Sequence, residues 1–370
     1  MGTPLSEHFK NQTLLQDTAA PLPVQDVGAL LTTENAVSTD DRFKVVTQAD
    51  LATYSSYPIT HAWLTAYFSQ DLEAENAVII RYDDTPATGD ASVGAALDDA
   101  WLKGAQYYIQ CYSGNSDADI PTQEAIAAWV KAAPVDIQAL FLTNDPNAWK
   151  VSGDTTSIRY KLREGSFSRS VVLMQPTGTV GGIDLTNVRP DGAIIGRMMP
   201  TFPEAQGAFE QWNYKPLRGV YDCGFDAATR KFLSENGGNY IEKINGLSYV
   251  QFYPGRSVTG REIRIQWGAD WHDANVEADY FNMANRVGLM AYDDDTFSNI
   301  DVILNTWGEA AKDRRLINSF TVSLPDPYSI PPSQKATGIL NIKDAYLGSL
   351  NAAIDGISTT GTWSILETEV

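Results

Sequence analysis

The sequence predicts an α/β fold, α+β when the whole chain is considered, and three observations support that prediction. Strand-like and helix-like segments alternate regularly between residues 26 and 185. Beyond residue 185 the alternation is lost and the helical segments become longer. At 370 residues the chain is long enough for two domains that each bury a core. We therefore predict two domains, over residues 26–185 and 186–360, flanked by extended arms over residues 1–25 and 361–370.

The first predicted domain consists of short apolar runs that alternate with segments of helical periodicity. Runs such as 77–82 and 137–143 are rich in β-branched and aromatic residues, which is typical of buried strands. The predicted strands are 27–33, 43–46, 77–82, 107–112, 137–143 and 168–174, and the predicted helices are 48–54, 57–69, 91–104 and 122–132.

The second predicted domain has its densest pattern between residues 260 and 315. Ile263, Ile265 and Trp267 alternate with polar residues, which predicts a half-buried strand over 261–267. A helix is predicted over 276–290, and a second helix starts from an Asn299 cap. The other predicted elements are a helix within 184–203, strands at 239–241, 248–253 and 317–322, and an amphipathic helix over 341–354.

Both ends of the chain contain a strand-like segment that has no partner nearby in the sequence. A short strand is predicted at 11–16, and 362–369 alternates like a strand. Two interpretations are open for such segments, namely frayed ends or arms that add a strand to a neighbouring subunit. The residues that would pair in the second case are Thr13, Leu14, Leu15, Trp363, Ile365 and Leu366.

Charge and composition exclude several classes of partner. The formal net charge is −19, and the first 150 residues carry most of the acidic excess. An acidic surface repels nucleic acid and anionic lipid, so neither is predicted as a partner. No apolar run reaches the length of about 20 residues that a membrane span needs, and no secretion signal is evident. Cys111 and Cys223 are predicted to be buried, reduced thiols.

Residues suited to chemistry are few. His272 lies between Asp270 and Asp273, which could form a metal site or a general base, although a helix cap explains the same residues. The acidic segments 293–295 and 115–119 could bind calcium or form solvated turns, and the second departs from an EF-hand loop at its sixth and twelfth positions. Residues 178–182 match no phosphate-binding loop. We predict no catalytic residue, metal or cofactor.

The order of several segments resembles the tail-sheath proteins of contractile bacteriophages, in the shorter, two-domain branch of that family. The resemblance runs along most of the chain and depends on order, since no single segment is specific. Its segments are 27–33, the Ala-Tyr-Phe-Ser-Gln helix at 66–70, 213–220, Asn239-Tyr240, 255–271 and Tyr292-Asp293 before a helix. One departure is the acidic triplet 293–295, where a Thr-Asp-Gly-like turn is usual.

The resemblance implies a structural subunit with no catalytic activity. Such subunits have an outer α/β domain, here 26–185, and an inner domain that faces the tail tube, here 186–360. They stack as hexameric rings whose arms join neighbouring subunits, and contraction drives the tube through the host envelope during genome delivery. The implied partners are further copies of the chain, the tail tube protein, and baseplate and tail terminator proteins. The implied location is the virion, after assembly in the host bacterial cytoplasm.

A contact with the tube is predicted at the cations that end the helices of the inner domain. Lys312, Arg314, Arg315 and Lys343 could meet an acidic tube, or could be helix-end cations in water. Two other functions are left open. The chain could be another tail or baseplate component with the same arms. Its nine tryptophans and many carboxylates are also compatible with a carbohydrate-processing enzyme.

Overall fold

The structure is a computed structural model, and it describes most of the chain between residues 27 and 350. Within that span residues 39, 84–91, 106–108, 114–119, 134–136, 151–152, 202–208, 245–247, 288, 338, 341 and 343–344 are not described. The two predicted arms, with all six of their pairing residues, lie outside the described residues, and so do Lys343 and the 115–119 loop.

An eight-stranded sheet forms the centre of the molecule. Its strands are β1 (Val27–Thr32), β2 (Phe43–Val46), β3 (Ala77–Arg81), β4 (Ile109–Ser113), β5 (Gln138–Thr143), β6 (Ser170–Met174), β9 (Gly238–Lys243) and β10 (Val250–Tyr253). They lie in the order β10-β9-β6-β5-β4-β1-β3-β2, with antiparallel pairs only at the two edges. Strands β1, β5 and β6 are buried along their whole length, which explains their continuous apolar character.

The mixed α/β fold class is confirmed. The sheet includes β9 and β10, which lie beyond the predicted division at residue 185. The division at that residue stays a prediction. Between β6 and β9, the glycine-rich segment that failed to match a phosphate loop forms a small hairpin of β7 (Thr179–Val180) and β8 (Ile183–Asp184).

Nine α-helices are present in the described part of the chain. They are α1 (Pro58–Phe68), α2 (Val93–Leu102), α3 (Ile120–Ala132), α4 (Ile158–Glu164), α5 (Pro190–Met198), α6 (Ala227–Glu235), α7 (Ile263–Val287), α8 (Asp294–Asp313) and α9 (Pro332–Lys335). Short 3-10 helices add Gln48–Tyr54, Pro146–Trp149, Met199–Thr201 and Pro327–Ser329. Helices α4 and α6 were not predicted, because their sequences are largely polar and only one side of each is buried.

Helices α1 and α5 pack so closely that their backbones touch. A Cβ atom added at Gly192 would lie 2.7 Å from the carbonyl oxygen of Trp63. A Cβ atom added at Gly196 would lie 2.1 Å from the carbonyl oxygen of Tyr67. The two glycines are four residues apart and therefore share one face of α5. This contact holds α5 against the sheet beside β1 and β4.

The predicted strand over 261–267 is wrong, because α7 already begins at Ile263. Ile263 and Trp267 are four residues apart, so they share a helical face as readily as a strand face. Two of the polar residues between them are also buried. The Arg264 guanidinium donates to Glu262 and to the carbonyl of Arg315, and the Gln266 amide donates to Asp270.

Two more predictions in this region are wrong. Asn299 does not cap the following helix, because α8 begins earlier, at an Asp293 cap that accepts from the Thr296 N–H at 2.9 Å. The helix over 341–354 is also wrong where the structure describes it. Tyr346–Leu350 is a strand, β12, paired antiparallel with β11 (Ile317–Val322). Gly348 and Ser349 weaken helix propensity there, and pairing with β11 satisfies the backbone.

Candidate assembly surface

Helix α7 is long enough to take part in two hydrophobic cores. Its first half contributes Ile263, Trp267 and Trp271 to the core that covers the central sheet. Its second half contributes Val276 and Met283 to a smaller cluster, which α8 completes with Ile300, Ile303 and Leu304. The helix pair α7 and α8 therefore forms a platform with its own core.

The hairpin of β11 and β12 lies on this platform. Tyr346 of β12 stacks on His272 of α7, with ring centroids 4.7 Å apart, and on Phe320 of β11 at 5.6 Å. The Phe320 ring also packs against α8, where a Cβ atom at Gly308 would lie only 2.4 Å away. Gly308 thus provides the space that lets β11 approach the helix.

Both strands of the hairpin have an outer edge without a strand partner among the described residues. Edge strands present a row of unpaired backbone N–H and C=O groups, and a two-stranded sheet alone is only marginally stable. Leu347 and Leu350 of β12 are 57% and 52% exposed. Exposed apolar residues beside open backbone groups are the features that an added strand would cover.

The three predicted cations that the structure describes differ in environment. Lys312 is exposed and lies 3.4 Å from Glu309. Arg314 is half-buried, with its guanidinium 4.7 Å from the centroid of the Trp271 ring, so its charge is partly enclosed. Arg315 is exposed and follows the helix with a φ of 58°, in the left-handed region. Lys312 and Arg315 are therefore the cations that face solvent here.

The end of α8 is a Schellman motif without the usual glycine. The Leu316 N–H donates to the Ala311 carbonyl and the Arg315 N–H donates to the Lys312 carbonyl, both at 2.9 Å. The left-handed position that such a motif needs is occupied by Arg315.

His272 has a structural position. Its Nδ1 lies 3.4 Å from Asp273, its ring stacks on Tyr346, and Asp270 points elsewhere to accept from Arg169 at 2.7 Å. Asp293 caps α8, and hydrogen bonds from Thr296 lower the pKa of that carboxyl. Among the described residues no group of His, Cys, Asp or Glu side chains could hold a metal ion.

A buried polar cluster at the end of β4 escaped sequence reasoning. Asp191 is fully buried and accepts from the Ser113 hydroxyl and from the Arg189 guanidinium, the latter at 2.8 Å. Burial alone would raise the pKa of Asp191, but the Arg189 charge and these hydrogen bonds lower it overall. The only sequence signal was a proline and an acid at a helix start.

The two cysteines are free and buried, as predicted, and burial raises the pKa of each thiol to about 12. They are therefore unreactive. None of the helices that the structure describes is long and apolar enough to cross a membrane.

The architecture is shared with solved assemblies. The helical sheath of the anti-feeding prophage in its contracted state matches with a TM-score of 0.64 and 12% identity, over 94% of this chain and 95% of that chain. The contracted sheath complex of PVC, an extracellular contractile injection system, matches with a TM-score of 0.63 and 12% identity, over 96% and 95%. The fold is that of a contractile sheath subunit.

A further match covers nearly the whole chain. A chain of the contracted anti-feeding prophage baseplate covers 99% of this chain and is itself covered to 99%, with a TM-score of 0.61 and 14% identity. No protein-family model and no curated protein sequence matches. At these identities the likeness establishes the fold, and the predicted resemblance to sheath proteins is confirmed at that level.

Proposed function

We propose that the chain is a structural subunit of a contractile phage tail sheath, in stacked hexameric rings around a tail tube. Contraction would drive the tube through the host envelope during genome delivery. The observation that supports this proposal is a sheath fold over 94% of the chain. The open β11–β12 sheet adds a surface on which copies could join. The subunit would assemble in the host bacterial cytoplasm and reside in the virion.

The arms are proposed to join neighbouring subunits by strand addition. One neighbour would contribute the strand that contains Thr13, Leu14 and Leu15. Another neighbour would contribute the strand that contains Trp363, Ile365 and Leu366. Backbone hydrogen bonds give such pairing its strength and tolerate rigid-body rotation of the subunits. A head-to-tail contact repeated with a rotation and a rise builds a helical lattice. The arms would keep that lattice connected while other contacts rearrange.

The tube, baseplate and tail terminator proteins are the other proposed partners. We propose that the cations at the end of α8, together with Lys343, meet an acidic tube. Lys312 and Arg315 suit this role because they face solvent, whereas Arg314 is engaged with Trp271. Exposed ion pairs are individually weak, which suits a contact that must release.

The energy for contraction would come from subunit contacts, without a catalytic step. In this proposal the extended lattice is metastable and reaches a lower free energy when its contacts change. The subunit therefore needs no nucleotide site and no cofactor, and it acts as a structural protein. The buried Asp191 cluster would then serve only to stabilise the fold.

Removal of residues 362–370 tests the proposal. Purified full-length protein should form tubes or rings by negative-stain microscopy, and the truncated protein should remain monomeric by sedimentation with an unchanged circular dichroism spectrum. Deletion should abolish polymerisation because the added strand is lost. Full-length protein that stays monomeric at all concentrations and on isolated tail tubes would refute the proposal.

A further inference from the structure

The amino ends of the parallel strands form one edge of the central sheet, and one end of that edge is basic. Strands β1, β3, β4, β5, β6 and β9 all run in the same direction. Where β6 and β9 begin, a cavity of about 300 Å³ lies between the ends of α4 and α6 and the loop that leads from β10 into α7. Arg163 and Arg256 line this cavity, and Arg261 follows the lining residue Gly260. These three arginines are called the basic cluster below.

Two members of the basic cluster have neutral hydrogen-bond partners. Arg163 and Arg261 are exposed, and each donates to a side-chain amide oxygen, at 2.8 Å for Arg261. Neither forms an ion pair with another described residue. The acids that adjoin the cluster are Glu164 and Glu235, and Glu235 lies 3.9 Å from Lys231. Cations are therefore in excess at this end of the edge.

The other end of the same edge is acidic. The loop from α1 to β3 carries Asp71, Glu73 and Glu75, all of them exposed, and residues 71–75 are called the acidic loop below. Asp71 pairs with Arg218, whereas Glu73 and Glu75 form no ion pair with a described residue. Strand β2 ends beside the start of β3, and Asp50 adds a further carboxylate in the 3-10 helix that follows β2.

The two charged ends do not neutralise each other within one copy. Strands β9 and β3 are five strand spacings apart in the sheet, a distance of about 24 Å. At physiological ionic strength, exposed charges are screened over about 8 Å. The charges at each end are therefore available to a second molecule.

We infer that the acidic loop of one copy docks on the basic cluster of the next copy, with Glu73 and Glu75 against Arg163 and Arg261. Both surfaces belong to the same chain and lie at opposite ends of one edge, so each copy binds one neighbour at each end. A contact between unlike surfaces, repeated with a rotation and a rise, builds an open lattice. Complementary charges would also guide the approach and register of the copies.

The inference rests on the proposed function, because it adds a contact between the central sheets of neighbouring subunits. This contact uses no residue of the arms, of the β11–β12 hairpin or of the cations at the end of α8. Its loss is therefore separable from the loss of strand addition and from the loss of tube binding.

An exchange of charge tests the inference. Glu73→Lys/Glu75→Lys should need about tenfold more protein to assemble, because two exposed ion pairs become repulsive contacts. Arg163→Glu/Arg261→Glu should show the same defect, with a circular dichroism spectrum like that of the wild type. The variant with all four changes should assemble at nearly the wild-type concentration. Sedimentation and negative-stain microscopy measure the concentration at which each variant assembles.

The matched control is Asp295→Lys/Asp301→Lys, which changes the net charge equally at two exposed acids of α8. It should assemble like the wild type, and a control as impaired as Glu73→Lys/Glu75→Lys would overturn the inference. Assembly of Glu73→Lys/Glu75→Lys at the wild-type concentration would also overturn it. That variant changes only exposed side chains, so its result stands even if the arginine variant fails to fold.

Two further results would contradict the inference. One is a folded fourfold variant that assembles no better than either double variant. The other is a wild-type protein that forms closed dimers through these charges, because the proposed contact is head-to-tail. Wild-type protein that never assembles would instead refute the proposed function.

Discussion

The close packing of α5 on α1 at Gly196 gives a prediction whose sign can be calculated. Gly196 of α5 has no space for a side chain, because a Cβ atom would lie 2.1 Å from the Tyr67 carbonyl oxygen and 2.7 Å from its carbonyl carbon and Cα. These are backbone atoms of α1, which cannot move aside as a side chain could. Gly196→Ala must therefore push α1 and α5 apart by more than about 1 Å, since non-bonded heavy atoms normally stay about 3.5 Å apart.

The expected cost follows from two opposing effects. Overpacking in a core costs about 1–3 kcal/mol, and the backbone contact places Gly196→Ala at the upper end. Alanine gains about 1 kcal/mol over glycine in a helix interior. The net result should be destabilisation by about 2 kcal/mol. Gly94→Ala in α2 is the matched control, because a Cβ atom there meets nothing within 4 Å. It should be neutral or stabilising by up to about 1 kcal/mol.

Urea unfolding of monomeric protein measures both variants. Tryptophan fluorescence is a suitable probe because Trp63, on α1, stacks on Tyr67 with ring centroids 4.9 Å apart. The midpoint should fall for Gly196→Ala and should not fall for Gly94→Ala. An unchanged or higher midpoint for Gly196→Ala would show that the two helices are not in backbone contact.

Two other predictions concern stability. Arg315→Gly should stabilise the monomer by about 1 kcal/mol, because glycine adopts the left-handed end of α8 without strain; a lower thermal midpoint would contradict this. The folded pKa of Asp191 lies below the unfolded value of about 3.9. The ionised carboxylate therefore stabilises the fold fully when the pH is above the unfolded pKa, and this stabilisation is lost as the pH falls through the folded pKa. Asp191→Asn should therefore lower stability at neutral pH and flatten its decline in acid, and an unchanged acid profile from pH 5 downward would contradict the assignment.

The sequence predicted the sheet well, because buried parallel strands such as β5 and β6 are continuous apolar runs. The prediction from sequence was wrong where one spacing of apolar residues fits both the period of a strand and the period of a helix. The spacing of Ile263 and Trp267 fits both a strand and a helix. In the helix that forms, Arg264 is buried between them and donates to Glu262 and to the Arg315 carbonyl, contacts that the local pattern does not contain. Tyr346–Leu350 became a strand because β11 pairs with it, a long-range contact that no local propensity contains.

The candidate surface was predictable only in part. The apolar side of α8 and the cations at its end follow from the sequence, whereas the engagement of Arg314 with Trp271 does not, because it joins two distant helices. The Asp191 cluster was hidden for the same reason. Ser113 is far from Asp191 in sequence and reaches its carboxylate only when β4 and α5 come together.

Helix α7 has a mechanical consequence. Domains are usually connected by exposed linkers, which allow one body to swing against the other. Here a 25-residue helix, about 37 Å long, runs from one core into the other. Near its middle the Trp271 ring contacts both Phe209 and Trp307, at 5.4 Å each. A bend there would break helical hydrogen bonds inside packed aromatic rings, so a load applied at the hairpin reaches the central sheet without an intervening joint.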